Sequence, residues 1–179
     1  MMRAYSPALT PAQFQRIMAE LPQRWHPVAE WLGVTGIRIG ETAALTTADI
    51  DAAAGTCRVT RVWVPAGRFW ELQQSRCGRT VLVPEQVLAG MDLTRCDEEL
   101  FSIDGALGPG LMRGFSRAWR GAVVAAHEDL GGRRTHVHDL RRMCGAQLLR
   151  AGVPLPEVAA QLGWSVQVTA EQVARTVGA

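Results

Sequence analysis

The sequence predicts a mainly helical α+β fold with a small three-stranded antiparallel sheet, and three observations predict it. Apolar residues recur at helical spacing toward both ends of the chain, as in Phe14, Ile17, Met18 and Leu21 and again in Leu140, Cys144 and Leu148. Between Cys57 and Pro84 the period shortens, and β-branched and aromatic residues gather in CRVTRVWV, RFWELQ and RTVLVP. At 179 residues and 47% hydrophobic composition, the chain is long enough to bury one core and too apolar for a disordered tail. One domain over 1–179 is therefore expected.

Taken in order, Thr10-Pro11-Ala12-Gln13 has the form of a capping box with proline in the first turn, opening an amphipathic helix that Pro22 ends. Trp25, Val28, Ala29 and Leu32 give a second helix. Next, Gly36 and Gly40 bracket Arg38 ahead of a short helix containing Ala43, Ala44 and Leu45. Glycine permits a tight backbone that aims the arginine inward, and Glu41, three residues on, is placed to hold the guanidinium. An ordinary Arg–Glu helix pair has the same spacing. The three strand segments are separated by Pro65-Ala66-Gly67 and by a turn over Ser75 to Gly78. Pro84 opens a short helix with Val87, Leu88 and Met91, and a loop rich in Asp, Gly and Pro runs to Gly110. A helix from about Leu111 to Glu128 turns Met112, Phe115, Trp119 and Val123 inward and Arg113, Arg117 and Arg120 outward. Those three arginines suit a nucleic-acid backbone, as well as an ordinary solvated face.

The chemistry concentrates in THVHDLRRMCGAQLLRAGVPLPEVAAQLGW, residues 135–164. A helix starting near Val137 projects His138 and Arg141 from one face with Arg142 beside them, and buries Leu140, Met143, Cys144 and Leu148 on the other. Gly152, Pro154 and Pro156 separate this helix from a second short one that Gly163 stops before Trp164. A titratable imidazole beside permanent cations suits a phosphate.

Composition narrows the classes. No run of about 18 apolar residues and no basic-then-apolar leader is present, so a membrane protein is excluded and a cytoplasmic one expected. Cys57, Cys77, Cys96 and Cys144 form no CxxC pair, which argues for free, buried thiols rather than a zinc site or disulfides. All 19 basic residues are arginine. The net charge of +2 identifies no partner, but its distribution favours an anionic one: Met1 to Pro109 carries 10 Arg against 12 acids, and Gly110 to Ala179 carries 9 Arg against 5. His127, His136 and His138 lack the acidic or thiol partner that a metal site needs, so no metal or small-molecule cofactor is expected.

TGIRIGETAALTTADID, a β-meander, THVHDLRRMCGAQLLRAGVPLPEVAAQLGW and SVQVTAEQVART stand in an order and spacing that resembles the catalytic domain of tyrosine recombinases, the phage-integrase family. The resemblance runs from about Leu9 to Thr176. It implies a DNA strand-exchange fold in which two arginines hold the non-bridging oxygens of a scissile phosphate while a tyrosine attacks it. Arg38 matches the first arginine, His138 and Arg141 the histidine and arginine of the HxxR box, and Trp164 the position of a second histidine that some members fill with tryptophan. Guanidinium forks suit this chemistry because a pentacoordinate phosphorane gathers negative charge. Arg113, Arg117, Arg120 and Arg142 are the further DNA contacts expected. Double-stranded DNA is the implied partner, with other recombinase subunits the second, and the implied location is the nucleoid of a bacterial or phage-bearing cell.

The departures matter as much. Gln73 stands nearest the family's hairpin lysine, leaving Arg76 or Arg79 as substitute cations, although a guanidinium is a poor acid. Val173 falls at the tyrosine position and Arg175 at the closing histidine, while the single tyrosine, Tyr5, lies at the other end. No counterpart of the family's N-terminal core-binding domain is expected. The resemblance thus implies a DNA-binding protein of the integration and recombination class that does not cleave strands by itself, a pseudoenzyme. Two alternatives stay open: activity in trans with a partner's tyrosine, and a helix-turn-helix module at 156–176, in which Thr169 rather than Val168 takes the inward position.

Overall fold

A computed structural model describes residues 8–94 and 98–177, with Cys77 and residues 172–177 described in backbone only. Helix α1 (Pro11–Glu20) starts on the expected capping box: the Gln13 amide donates to Thr10 Oγ1 and the Thr10 amide to Gln13 Oε1. After a 3₁₀ turn, α2 (His26–Thr35) ends at Gly36, whose φ of 65° is the left-handed cap that glycine adopts most readily. Helix α3 (Ile39–Thr42) is shorter than its sequence suggests, because Ala43 already caps it and Ala44 and Leu45 leave the helix to pack in the core.

The sheet corrects the expected strand pattern while keeping its number of strands. RFWELQ and RTVLVP are one long strand, β3 (Phe69–Leu82), paired antiparallel with β2 (Thr56–Ala66) across a turn at Gly67 and Arg68. The anticipated turn over Ser75–Gly78 is a bulge: the register passes from Val59 opposite Arg79 to Arg61 opposite Gln74, so four residues stand against Thr60 alone. The third strand is the two-residue β1 (Ile50–Asp51), whose pairing with Thr56 and Cys57 is too brief to leave a periodic signal. Arg61 fixes β2 to the preceding turn through Asp49, 2.7 Å away.

Helix α4 (Glu85–Leu88) leads to a loop and then to α5 (Gly108–Ala125), which buries Phe115, Trp119 and Val123 as predicted. Met112 is only half-buried. Helix α6 (Val137–Arg150) is followed by Gly152 at φ 79°, by α7 (Leu155–Leu162) and by α8 (Val166–Val177). One apolar core joins α1, α2, α5, α6 and the inward face of the sheet, and a smaller cluster of Cys144, Val158 and Leu162 binds α6 to α7. Burial pushes the thiols of Cys57 and Cys144 up to about 12, which leaves both inert. Cys77 and Cys96 lie outside the described side chains. Among the described residues no helix is long and apolar enough to cross a membrane.

Gly36 is where α2, α6 and α7 meet. A Cβ there lies 2.3 Å from Leu162 Cδ2 and 3.2 Å from Cys144 Sγ, on a backbone that already disfavours a side chain. Gly36→Ala is expected to lower unfolding free energy by about 2–4 kcal/mol, the sum of left-handed strain and overpacking, read as a lower denaturant midpoint at unchanged m-value. A loss under about 0.5 kcal/mol contradicts this close approach.

Candidate functional site

The site is built by elements distant in sequence. Gly36 ends α2 and turns the chain so that Arg38, at the N-cap of α3, enters a cleft between α3, the β2–β3 hairpin, α5 and the start of α6. Gly40 lets β2 come close: a Cβ at this position lies 3.0 Å from the Trp63 carbonyl oxygen. Trp63 in turn donates its indole N–H to the Ala43 carbonyl at 3.2 Å. The cleft has a volume of about 1070 Å³. Ile37, Val62, Trp63, Trp70 and Met112 form apolar walls, Arg38, Arg120, Arg133, Arg134 and Arg141 supply its charge, and His138 lies beside them.

The two arginines predicted to meet do border the same cavity. Arg141 is 2% exposed. Its Nη1 donates to the Gly36 carbonyl, and its guanidinium lies 5.5 Å from the Trp164 ring centroid. Among the described residues Nε and Nη2 have no hydrogen-bond partner, an uncommon condition for buried donors and one that an acceptor entering the cleft would relieve. Burial, then the neighbouring Arg38 and Arg79, lowers the Arg141 pKa to about 9, so it stays charged at neutral pH. His138 is exposed at the cleft rim. Partial desolvation first, and then the charges of Arg141, Arg142 and Arg38, depress its pKa below the ordinary 6.5, which keeps the imidazole neutral at pH 7.

Arg38 is held as its spacing suggested. Glu41 Oε2 accepts from the Arg38 amide at 3.0 Å and Oε1 from Arg38 Nη1 at 3.1 Å. The carboxylate is 1% exposed and also takes Arg79, with Nη1–Oε1 at 3.0 Å and Nη2–Oε2 at 2.9 Å. Burial alone raises the Glu41 pKa, but the hydrogen bonds and charge of Arg79, followed by those of Arg38, outweigh it, and the net shift is downward.

This arrangement corrects the substitute-cation reading of Arg79. Its guanidinium is committed to Glu41 and to the Gln161 carbonyl, and it does not line the cleft. Arg76 lies exposed in the bulge, and Gln73 donates to Glu71 on the exposed part of β3. Of the outward arginines of α5, Arg120 borders the cleft, while Arg113 and Arg117 are exposed outside it. Arg142 is half-buried and bonded to Asp139 at 3.3 Å. Trp164 lies behind Arg141, outside the cleft lining. His127 and His136 border the cleft with His138, and among the described residues no three His, Cys, Asp or Glu side chains cluster to hold a metal.

Helix α8 is capped by Ser165, whose Oγ accepts from the Val168 amide. Thr169 is fully buried and donates to the Ser165 carbonyl, while Val168 is 40% exposed. Position 173 follows one helical turn after Thr169. The side chains of Val173 and Arg175, and all of Tyr5, lie outside the described residues. Sequence reasoning named Arg79 only as a substitute for the hairpin lysine and missed its pairing with Glu41. The available signal was its place in Arg79-Thr80-Val81-Leu82-Val83, where alternation sets an arginine on the apolar face.

With this geometry established, comparison with known proteins defines the class. The fold matches the Tn1549 transposon integrase (aa 82-397), solved in complex with circular intermediate DNA, at TM-score 0.74 and 20% identity over 96% of this chain and 64% of that one. It matches XerA recombinase at TM-score 0.69 and 18% identity, covering 96% and 61% of the two chains. For the catalytic domain of bacteriophage HP1 integrase the values are 0.65 and 16%, covering 96% and 89%. The chain thus spans under two thirds of the Tn1549 and XerA chains. No curated protein matches. The phage integrase family model matches residues 7–173, and the chain belongs to that family.

Glu41 gives the site a pH signature. Its folded pKa lies below the reference 4.5, so its contribution to stability is full above the unfolded value and is lost as pH falls toward the folded one. Glu41→Gln is expected to cost about 3–5 kcal/mol at pH 7, because it breaks a buried pair, and to flatten the wild-type loss of stability below about pH 4.5 in urea titrations. Parallel profiles for the two proteins contradict the assignment.

Proposed function

We propose that this chain is a DNA-binding domain of the recombination and integration class that grips one backbone phosphate of a duplex between Arg38 and Arg141, and that it does not cleave DNA by itself. One observation carries the reading: Arg141 is buried, charged and bordering the cleft it shares with Arg38, with its Nε and Nη2 donors unspent among the described residues. Two forks of fixed charge match the in-plane oxygens of a phosphate and stabilise the charge that gathers on it. Neutral His138 at the rim accepts or donates one hydrogen bond, and Trp164 holds Arg141 from behind. Arg120 borders the same cleft, and with Arg113, Arg117 and Arg142 it extends the contact along the backbone. The Tn1549 transposon integrase was solved in complex with circular intermediate DNA and with transposon right end DNA, which supports DNA as the partner.

Cleavage needs a nucleophile and an acid for the leaving oxygen. Valine at 173 offers no attacking oxygen, and a guanidinium, the only kind of side-chain cation this sequence places near the hairpin, is by its chemistry a poor acid. The protein is then a binding member of an assembly with other recombinase subunits, acting at the nucleoid.

Nicked suicide duplexes carrying candidate attachment sites test this. Expected are retarded complexes that weaken steeply between 50 and 200 mM salt, at least about tenfold weaker binding for Arg38→Ala/Arg141→Ala, and no covalent adduct. An adduct refutes the non-cleaving assignment. Retardation unchanged by the double substitution refutes the phosphate pocket.

A further inference from the structure

The cross-strand partner of Arg79 is fully buried Val59, and Cys57 and Val81, both buried, form the next pair on that face. An arginine on the apolar face of a sheet, with its side chain 8% exposed, requires a compensating anion. Glu41 is that anion, and it is also the residue that holds Arg38. Resting on the phosphate-pocket reading above, we propose that Arg79 is a positioning residue for both guanidinium groups of the cleft: it frees the charge of Arg38 by neutralising Glu41, and it fixes the turn that carries Trp164 against Arg141.

The first action is a matter of charge. Each Glu41 oxygen accepts one bond from Arg38 and one from Arg79, so two cations share one buried carboxylate and the trio keeps a net charge of +1. The Arg38 side chain is 39% exposed, so that charge faces the cleft. Without Arg79, Arg38 becomes the sole partner of a buried acid and is drawn into a one-to-one pair whose field at the cleft cancels.

The second action is mechanical. Arg79 Nε donates to the Gln161 carbonyl at 3.1 Å, and the guanidinium packs on Gly163, where a Cβ lies 3.3 Å from Nε. The Gln161 side chain clamps the same joint: it accepts from the Leu82 amide at 2.8 Å and donates to the carbonyls of Leu82 and Thr35. Trp164, the residue after Gly163, stacks on Arg141. One side chain thus joins β3, α3 and the end of α7, the three places that orient the two phosphate-facing cations.

The test compares full-length wild type, Arg79→Met, Glu41→Gln/Arg79→Met and Arg38→Ala/Arg141→Ala for retardation of one duplex of about 30 base pairs at fixed salt, after circular dichroism confirms folding. Arg79→Met is expected to weaken binding about tenfold. The Glu41→Gln/Arg79→Met pair is expected to recover at least about threefold of that loss, because removing the acid releases Arg38. A merely structural role predicts no recovery, so a double variant that binds no better than Arg79→Met overturns the proposal, as does an Arg79→Met protein with wild-type affinity. If Arg79→Met does not fold, Arg79→Lys is measured instead; lysine cannot form the bidentate pair and also reach Gln161, so at least threefold weaker binding is expected and unchanged binding overturns the proposal. If Arg38→Ala/Arg141→Ala leaves retardation intact, the failure lies in the phosphate pocket itself; if it weakens retardation while Arg79→Met does not, only the role of Arg79 fails.

Discussion

Burying a guanidinium costs several kcal/mol unless its charge and its N–H groups are met, and that constraint shapes the cleft end of this domain. Among the described residues Arg141 meets one carbonyl, one indole face and no carboxylate, and it sits close enough to Arg38 and Arg79 for both to depress its pKa. Glu41, with 1% exposure, is the negative charge that lets three arginines approach one another. A site poised this way is short of anion, and under the proposed function a backbone phosphate supplies what is missing.

The scaffold serves that arrangement through close backbone approaches. Gly36 accepts the left-handed turn that presents its carbonyl to Arg141, and it admits Leu162 and Cys144 against the chain. Gly145, on α6, lies where a Cβ meets Leu162 at 2.8 Å and the Trp164 ring at 3.2 Å, so the indole can settle over Arg141. The hairpin is pinned to α3 by Trp63 and to the turn before β1 by Arg61. Stability and function are therefore coupled: the residues that orient the cations are the same ones that close the core around them.

Much of this was legible in the sequence because it rests on local periodicity. The capping box at Thr10, the inward row of α5, the helix start before His138 and the Arg38–Glu41 spacing are short-range patterns, and each appears in the structure. The long strand β3 was not legible, since a four-residue bulge containing Gly78 has the composition of a turn, and two-residue β1 has no period at all. Arg79 was misassigned for a related reason. Its partner Glu41 lies 38 residues away, and only the folded sheet reveals that the arginine faces inward. The family resemblance supplied the meeting of Arg38 with Arg141, which no local pattern dictates.

The most direct measurement of the central claim is the nitrogen-15 spectrum of the arginine Nε–H groups during titration with duplex DNA at low salt. The Arg141 Nε–H, which has no partner among the described residues, is expected to shift on binding as it gains an acceptor, with Arg38 responding over the same concentrations. An Arg141 signal unmoved at saturating DNA, while Arg113 or Arg117 shifts, contradicts that claim, because the duplex then lies on α5 alone and the cleft holds no phosphate.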